Sequence, residues 1–291
     1  MMRNVLPILT VVAAIFALWY GAAVSLNAPW AKDKAARAGI ELSFSELVAD
    51  TWSQKKPKLP APHQVGAEIW KTTGAMILSG RGFSKRSLIY HSWVTFSATA
   101  LGFVLGTALG TLLAIGIVYN RTMDMSVMPW VIASQTIPII AIAPMIIVVL
   151  NAVGVSGLLP KAMISMYLSF FPVVVGMVKG LRSPSAMQLD QMRTWNASAA
   201  QTFWCLRLPS SMPYLFTSLK IGIAASLVGA IVGELPTGAV AGLGARLLAG
   251  SYYGQTIQIW SALLTAAALA ALMVGLIGLV QRYTLRRMGI A

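Results

Sequence analysis

The chain has 291 residues, of which 57% are hydrophobic and only 10% charged, and it carries a formal net charge of +14. So low a charged fraction excludes an ordinary soluble domain, where about a quarter of residues are charged. The basic excess points to cations at the ends of membrane spans rather than to nucleic acid, because no basic run is interleaved with aromatics, and the single cysteine, Cys205, excludes an internal disulfide.

A membrane-crossing helix needs about 20 mostly apolar residues. Val5 to Leu26 is uncharged, follows Arg3, and exceeds the usual signal-peptide core of about 7 to 15 residues, so residues 1–26 are expected to form a retained N-terminal transmembrane helix. Residues 27–90 follow as a polar stretch with ten Lys or Arg between Asn27 and Ile89, a turn or stiff linker at Pro57, Pro60 and Pro62, and amphipathic helices around Ala67 to Leu78. Trp93 to Tyr119 is a second span, with Gly102, Gly106 and Gly110 at the four-residue spacing that lets helix backbones approach closely. Met125 to Pro160 reads as a third span followed by a loop at Gly154, Ser156 and Gly157. Ala162 to Val178 is the fourth, Pro213 to Gly233 the fifth if Lys220 snorkels, and Ile257 to Val280 the sixth.

The expected fold is therefore all-α and polytopic, with about six transmembrane helices. Six spans place both termini on one side. Arg3, Arg121, Lys179, Arg182, Arg193, Arg207, Arg282, Arg286 and Arg287 fall on that side and make it cytoplasmic, with residues 283–291 as a cytoplasmic tail. By the same parity, residues 27–90 are extracytoplasmic.

Residues 182–209, which contain "DQMRTWNASAAQTFWCLRLPSSMP", then lie outside the bilayer on the cytoplasmic side. Ser183-Pro184 suits a helix start, and a first short helix should run to Trp195. Asn196 tolerates the left-handed conformation of a chain reversal. A second helix from Ala197 should end at Leu208, since Pro209 disfavours helical geometry in the residue before it. Ala199, Phe203 and Leu206 share a face of this helix, which either lies on the membrane interface or docks into a groove.

This segment resembles the cytoplasmic "EAA" loop of the permease subunits of bacterial ABC importers. Asp190, Gln191 and Met192 stand at the Glu-Ala-Ala places, Asn196 at the glycine place, Ala197, Ser198 and Phe203 at the following places, and Leu208-Pro209 at the closing Leu-Pro. The acid is one methylene short, both alanines are lost, and Asn replaces Gly. "QTIPIIAIAPMIIVV", with Pro138 and Pro144, and "GELPTGAVAGLGARLL" also resemble nitrate, sulfonate and taurine importer permeases, so the likeness spans residues 91–282.

The resemblance implies a MetI-like ABC permease fold. It also implies an inner-membrane location, a coupling loop at 182–209 that contacts separate ATP-binding subunits, a second permease copy or paralogue, and a periplasmic or lipid-anchored solute-binding protein. ATP and Mg would be held by the partner, because this chain has no G-x-x-x-x-G-K-[ST] loop. No cofactor in this chain, no enzymatic activity of its own and no nucleic-acid partner are expected. A self-contained secondary transporter is the alternative, but no central charge pair or internal repeat supports it.

For the substrate pathway, Gln135, Thr136, Asn151, Ser165, Ser169 and Ser226 are polar groups inside apolar runs, and Phe170 with Phe171 could stack on a flat solute. Such hydroxyls also commonly bond along or between helices. Glu234, at the outer end of the fifth span, is either a gate or binding-protein contact or a solvated helix-end carboxylate. Lys220 is the only cation within these spans and is placed near an end, which favours a neutral or zwitterionic solute over an anion. His63 and His91 are isolated, so no metal site is expected.

Overall fold

The computed structural model describes residues 2–236 and 241–289, with side chains from Leu6 onward. The Arg3 side chain, residues 237–240 of the glycine-rich turn, and residues 290–291 of the tail lie outside the described residues. Among the described residues the chain is helical throughout, without strands: α1 (Met2–Arg37), α2 (Phe44–Ser53), α3 (Pro62–Thr72), α4 (Gly74–Leu78), α5 (Leu88–Tyr119), α6 (Arg121–Ser134), α7 (Ile139–Ala152), α8 (Leu158–Leu181), α9 (Ala186–Thr194), α10 (Ala199–Thr202), α11 (Leu208–Glu234), α12 (Leu243–Tyr252) and α13 (Thr256–Arg287). Five described helices are long and apolar enough to cross a membrane, and α6 with α7 forms a sixth crossing in bent form.

The chain divides into two compact units, residues 1–91 with 245–266 and residues 92–244 with 267–291. In the first, the fully buried Asn27 of α1 organises the segment after α2. Its amide donates to the Leu59 carbonyl at 2.8 Å and its Oδ1 accepts from the Lys58 N–H at 2.8 Å. One amide thereby satisfies donors and acceptors of a Pro-rich stretch that cannot satisfy itself. Trp19 donates to the Pro60 carbonyl at 2.9 Å and lies 5.0 Å from the Trp260 ring. Burial lowers the pKa of Arg246 on α12, and the charge of Glu68 opposes that shift.

In the second unit, α5 lies on α8 through Gly102, Gly106 and Gly110. A Cβ on Gly102 would stand 2.3 Å from Ser165 Cβ and 2.6 Å from the Ala162 carbonyl oxygen, and one on Gly110 would stand 2.8 Å from the Phe170 carbonyl oxygen. The backbones approach so closely that no side chain fits between them, which is the packing the four-residue spacing predicts. α11 meets α8 in the same way, with Gly229 against the Ser165 backbone and Gly180 against Ser211, so that α5, α8 and α11 pack mutually around Ser165. Ala114, Ile117, Phe170, Val173, Met177 and Leu181 fill the remaining core.

The third span departs from an upright helix. α6 and α7 have 14 residues each and meet at 99°; each is about 21 Å long at 1.5 Å per residue, too short to cross alone. Pro138 causes the break: it has no N–H to offer α6, and it pushes Ile137 out of helical geometry. Tyr167 of α8 donates its hydroxyl to the Ser134 carbonyl freed at the break. α7 packs on α8 and α11 through Ala143, Ile147, Ile164 and Val232.

The two ends of this unit are distinguishable. Arg207 donates to the Leu181 carbonyl at 2.8 Å and sits over the Tyr119 ring, so the C-termini of α5 and α8 share one end with the approach to α11. Thr95, Lys161, Glu234 and Leu243 meet at the other. Since α5 and α8 are therefore parallel, the bent pair as a whole carries the chain back from one end to the other.

Gly102→Ala tests the close contact. Two backbones would have to separate, which costs about 1–3 kcal/mol, so the melting temperature of the detergent-solubilised chain should fall by about 5 °C. Gly21→Ala, with nothing within 4 Å of the added Cβ, should leave it unchanged. An equal melting temperature for both variants would remove the steric argument.

Candidate functional site

The segment between α8 and α11 is built from caps. Ser185 starts α9: its hydroxyl accepts from the Gln188 N–H at 3.4 Å, while the Gln188 side chain accepts from the Ser185 N–H at 2.9 Å. This reciprocal box satisfies two free amides. The start is two residues later than the Ser183-Pro184 expectation, because the Ser183 hydroxyl donates back to Gly180 at 2.7 Å, finishing α8.

Asn196 has φ of +54°, the one positive value at a non-glycine residue among the described residues. The N–H of Ala197 reaches the Met192 carbonyl at 3.0 Å and that of Asn196 reaches Arg193 at 2.9 Å, the paired bonds that end a helix in a left-handed residue. Ser198 then caps α10, accepting from Gln201 at 3.2 Å and giving its own N–H to the Gln201 side chain at 2.8 Å.

Beyond α10 the helix does not stop at Leu208. A π turn at Phe203–Arg207 leads directly into α11, so residues 199–234 form one continuous helix. Proline inside an α-helix clashes with the carbonyl four residues earlier, here Cys205, and the wider turn relieves that clash. Pro209 is thus accommodated as an early residue of α11 instead of ending the preceding helix.

Of the residues expected in the coupling loop, Gln191, Met192, Ala197 and Leu206 line one groove of about 490 Å³ together with Trp195 and Cys205. Asp190 is exposed and pairs with Arg193 at 3.0 Å. Asn196 and Ser198 are the turn and the cap. Phe203 points into its own chain, against the Tyr119 ring at 6.1 Å, and Leu208 packs on the core, so the expected shared face of Ala199, Phe203 and Leu206 is divided between core and groove. The most exposed large hydrophobic residues here are Met187, Trp195 and Trp204, at 81%, 67% and 65%. A tryptophan left in water is costly, and "TW" before the turn with "FW" after it was the available signal.

The residues expected in the pathway do not form one site. Gln135 and Thr136 are exposed at the α6–α7 break, and Asn151 is exposed on the last turn of α7. Ser165, Ser169, Ser226 and Phe170 are buried where α5, α8 and α11 meet. The Ser226 hydroxyl donates to the Thr99 carbonyl at 2.9 Å and that of Ser169 to Met166 at 3.2 Å, whereas Ser165 Oγ has no hydrogen-bond partner.

Glu234 is the largest departure from expectation. It is 0% exposed, so the solvated helix-end reading fails. The Thr95 hydroxyl donates to its carboxylate at 3.0 and 3.1 Å, the Gly244 N–H donates at 2.8 Å, and Lys161 Nζ stands 4.0 Å away. Thr95 Oγ1 in turn accepts from the Leu243 N–H at 2.9 Å. A Cβ at Gly242 would lie 2.2 Å from the carboxyl carbon, and φ there is +128°, so only glycine permits the turn to close over the carboxylate. No group of three or more His, Cys, Asp or Glu is placed to hold a metal among the described residues.

Apolar helices long enough to cross a membrane, joined by a capped polar helix-turn-helix, define a multi-pass membrane protein. The model of one family, "Binding-protein-dependent transport system inner membrane component", matches residues 106–290, and the chain belongs to that family. Similar proteins include a probable ABC transporter permease protein of Haemophilus influenzae, 27% identical over 233 residues that cover 80% of this chain and 88% of that one. The riboflavin transport system permease protein of Chloroflexus aurantiacus is 29% identical over 78% of this chain and 80% of its own. The formylaminopyrimidine transport permease protein of Halalkalibacterium halodurans is 34% identical over 53% of this chain and 60% of its own.

Replacing Glu234 tests its burial. Glu234→Ala leaves the Lys161 charge and the Thr95 and Gly244 donors unmatched and should destabilise by about 3 kcal/mol. Glu234→Gln keeps an acceptor and should lose less. Thermal unfolding in detergent reads both, and an alanine variant as stable as wild type would show that the carboxylate holds nothing.

Proposed function

We propose that this permease moves a small polar solute inward, of the nitrate, sulfonate or taurine type or of the pyrimidine or riboflavin type, with a neutral or zwitterionic member favoured. In this reading a separate ATPase, which holds the ATP and Mg, drives it, and a solute-binding protein, periplasmic or lipid-anchored, feeds it. The observation that carries this reading is the capped helix-turn-helix at 182–209, which exposes Trp195, Trp204 and Met187 beside the groove lined by Gln191, Met192, Ala197 and Leu206. A protruding aromatic on a capped turn fits a receiving cleft in a partner.

In this reading the groove residues Gln191, Met192, Ala197 and Leu206 and the exposed Asp190 meet the ATPase. Asn196, Ser198, Leu208 and Pro209 set the geometry, and Phe203 ties the segment to α5. Arg121, Lys179, Arg182, Arg193 and Arg207 all cluster at or beyond the end of the bundle marked by Tyr119 and Leu181, which supports a cytoplasmic position for that end and for both termini. Residues 27–90 then belong to the opposite face. The names of the riboflavin and formylaminopyrimidine relatives support a flat heterocycle as the solute, and two copies of the chain would enclose the pathway, with Gln135 and Thr136 at the α6–α7 break available to line it.

Asn196→Pro tests the coupling role, since φ of +54° is closed to proline. Solute-stimulated ATP hydrolysis and uptake by the reconstituted complex should both fall at least tenfold, while Asn196→Gly should retain both. Wild-type coupling in the proline variant would overturn the assignment.

A further inference from the structure

Lys220 lies within α11, toward the Pro213 end of the fifth span, and a cation inside an otherwise apolar run calls for a partner. Neither Lys220 nor Arg282 enters an ion pair among the described residues. Both line one open groove of about 550 Å³ between α11 and the second half of α13, within a single compact unit. Gly278 provides its floor: a Cβ there would make ordinary contact with the Lys220 side chain at 3.7 Å, so the end of the lysine lies against α13 at this point. The wall is formed by Leu272, Leu276 and Leu279, which are exposed and stand about one helical turn apart.

Their order along α13 matters. Arg282 is near the basic end of the helix, followed by Arg286 and Arg287, while Leu279, Leu276 and Leu272 lead from it toward the apolar interior. We propose that this groove binds one anionic phospholipid, its phosphate between Lys220 and Arg282 and an acyl chain along the three leucines. A free inorganic anion would use the cations but leave the leucine wall in place of a ligand. An acyl chain alone would use the wall but leave two cations uncompensated. A phospholipid satisfies both, and basic pockets between transmembrane helices bind lipid headgroups on these grounds.

Native mass spectrometry of the full chain, supplemented with equal phosphatidylglycerol and phosphatidylcholine of matched acyl chains, tests this. One phosphatidylglycerol per chain should be retained in about tenfold preference over phosphatidylcholine, as expected for two cations near a headgroup. Lys220→Gln with Arg282→Gln should bring the preference close to parity, whereas Arg286→Gln with Arg287→Gln should keep it. Gly278→Leu, which fills the floor and keeps both charges, should also lose the lipid and stands as an independent test if the double variant is not recovered. Equal retention of the two lipids, an unchanged preference in the double variant, displacement of phosphatidylglycerol by millimolar inorganic phosphate, or a groove closed by a second copy of the chain would each overturn the proposal.

Discussion

The backbone-to-backbone contact of α8 with both α5 and α11, three mutually packed helices, is the constraint on which the second unit depends. In a membrane, water does not drive helices together, so association rests on dispersion and on hydrogen bonds across the contact. Both require proximity, and proximity requires small residues: Gly102, Gly106 and Gly110 on α5, Gly180 on α8, and Gly229 on α11. The serine hydroxyls between them follow from the same geometry. Ser226 reaches a carbonyl of α5 because α11 is close enough to α5, and Ser169 remains buried among main-chain oxygens.

Each end of this contact is closed by a different device. At one end Arg207 spans the Tyr119 ring and the Leu181 carbonyl, fixing the base from which the capped helix-turn-helix projects. At the other, Glu234 gathers Thr95, Gly244 and Lys161 and holds the start of α12 against α5 at Thr95. Under the proposed coupling role, a push on the helix-turn-helix would be delivered to a packed body. The π turn at Phe203–Arg207 keeps the second helix of the hairpin continuous with α11, so under the proposed coupling role a displacement of the hairpin would act directly on that long helix.

Much of this was legible in the residues. Uncharged runs marked the long helices, the glycine spacing marked the α5 contact, and Asn196 marked the turn, because each is a local preference that tertiary structure did not override. The bend between α6 and α7 is not legible from Pro138 alone, since an apolar run reads the same whether straight or folded. Pro209 was misread as a stop because the compensating π turn depends on hydrogen bonds five residues apart, which no pattern displays. Glu234 was misread because its partners, Thr95, Lys161 and Gly244, come from distant positions and only folding brings them together. Phe203 illustrates the same limit: helical spacing placed it on a shared face, while Tyr119, far away in sequence, decided which way that face points.

The most direct measurement is recovery of partners by the tagged full-length chain, purified in mild detergent from cells that express its neighbouring genes. Stoichiometric recovery of a subunit with a phosphate-binding loop, lost when Trp195 and Leu206 both become Asp while helix content is retained, is the expected result. Undiminished recovery in that variant, or uptake by the chain alone in ATP-free liposomes, would contradict a coupling role for residues 182–209.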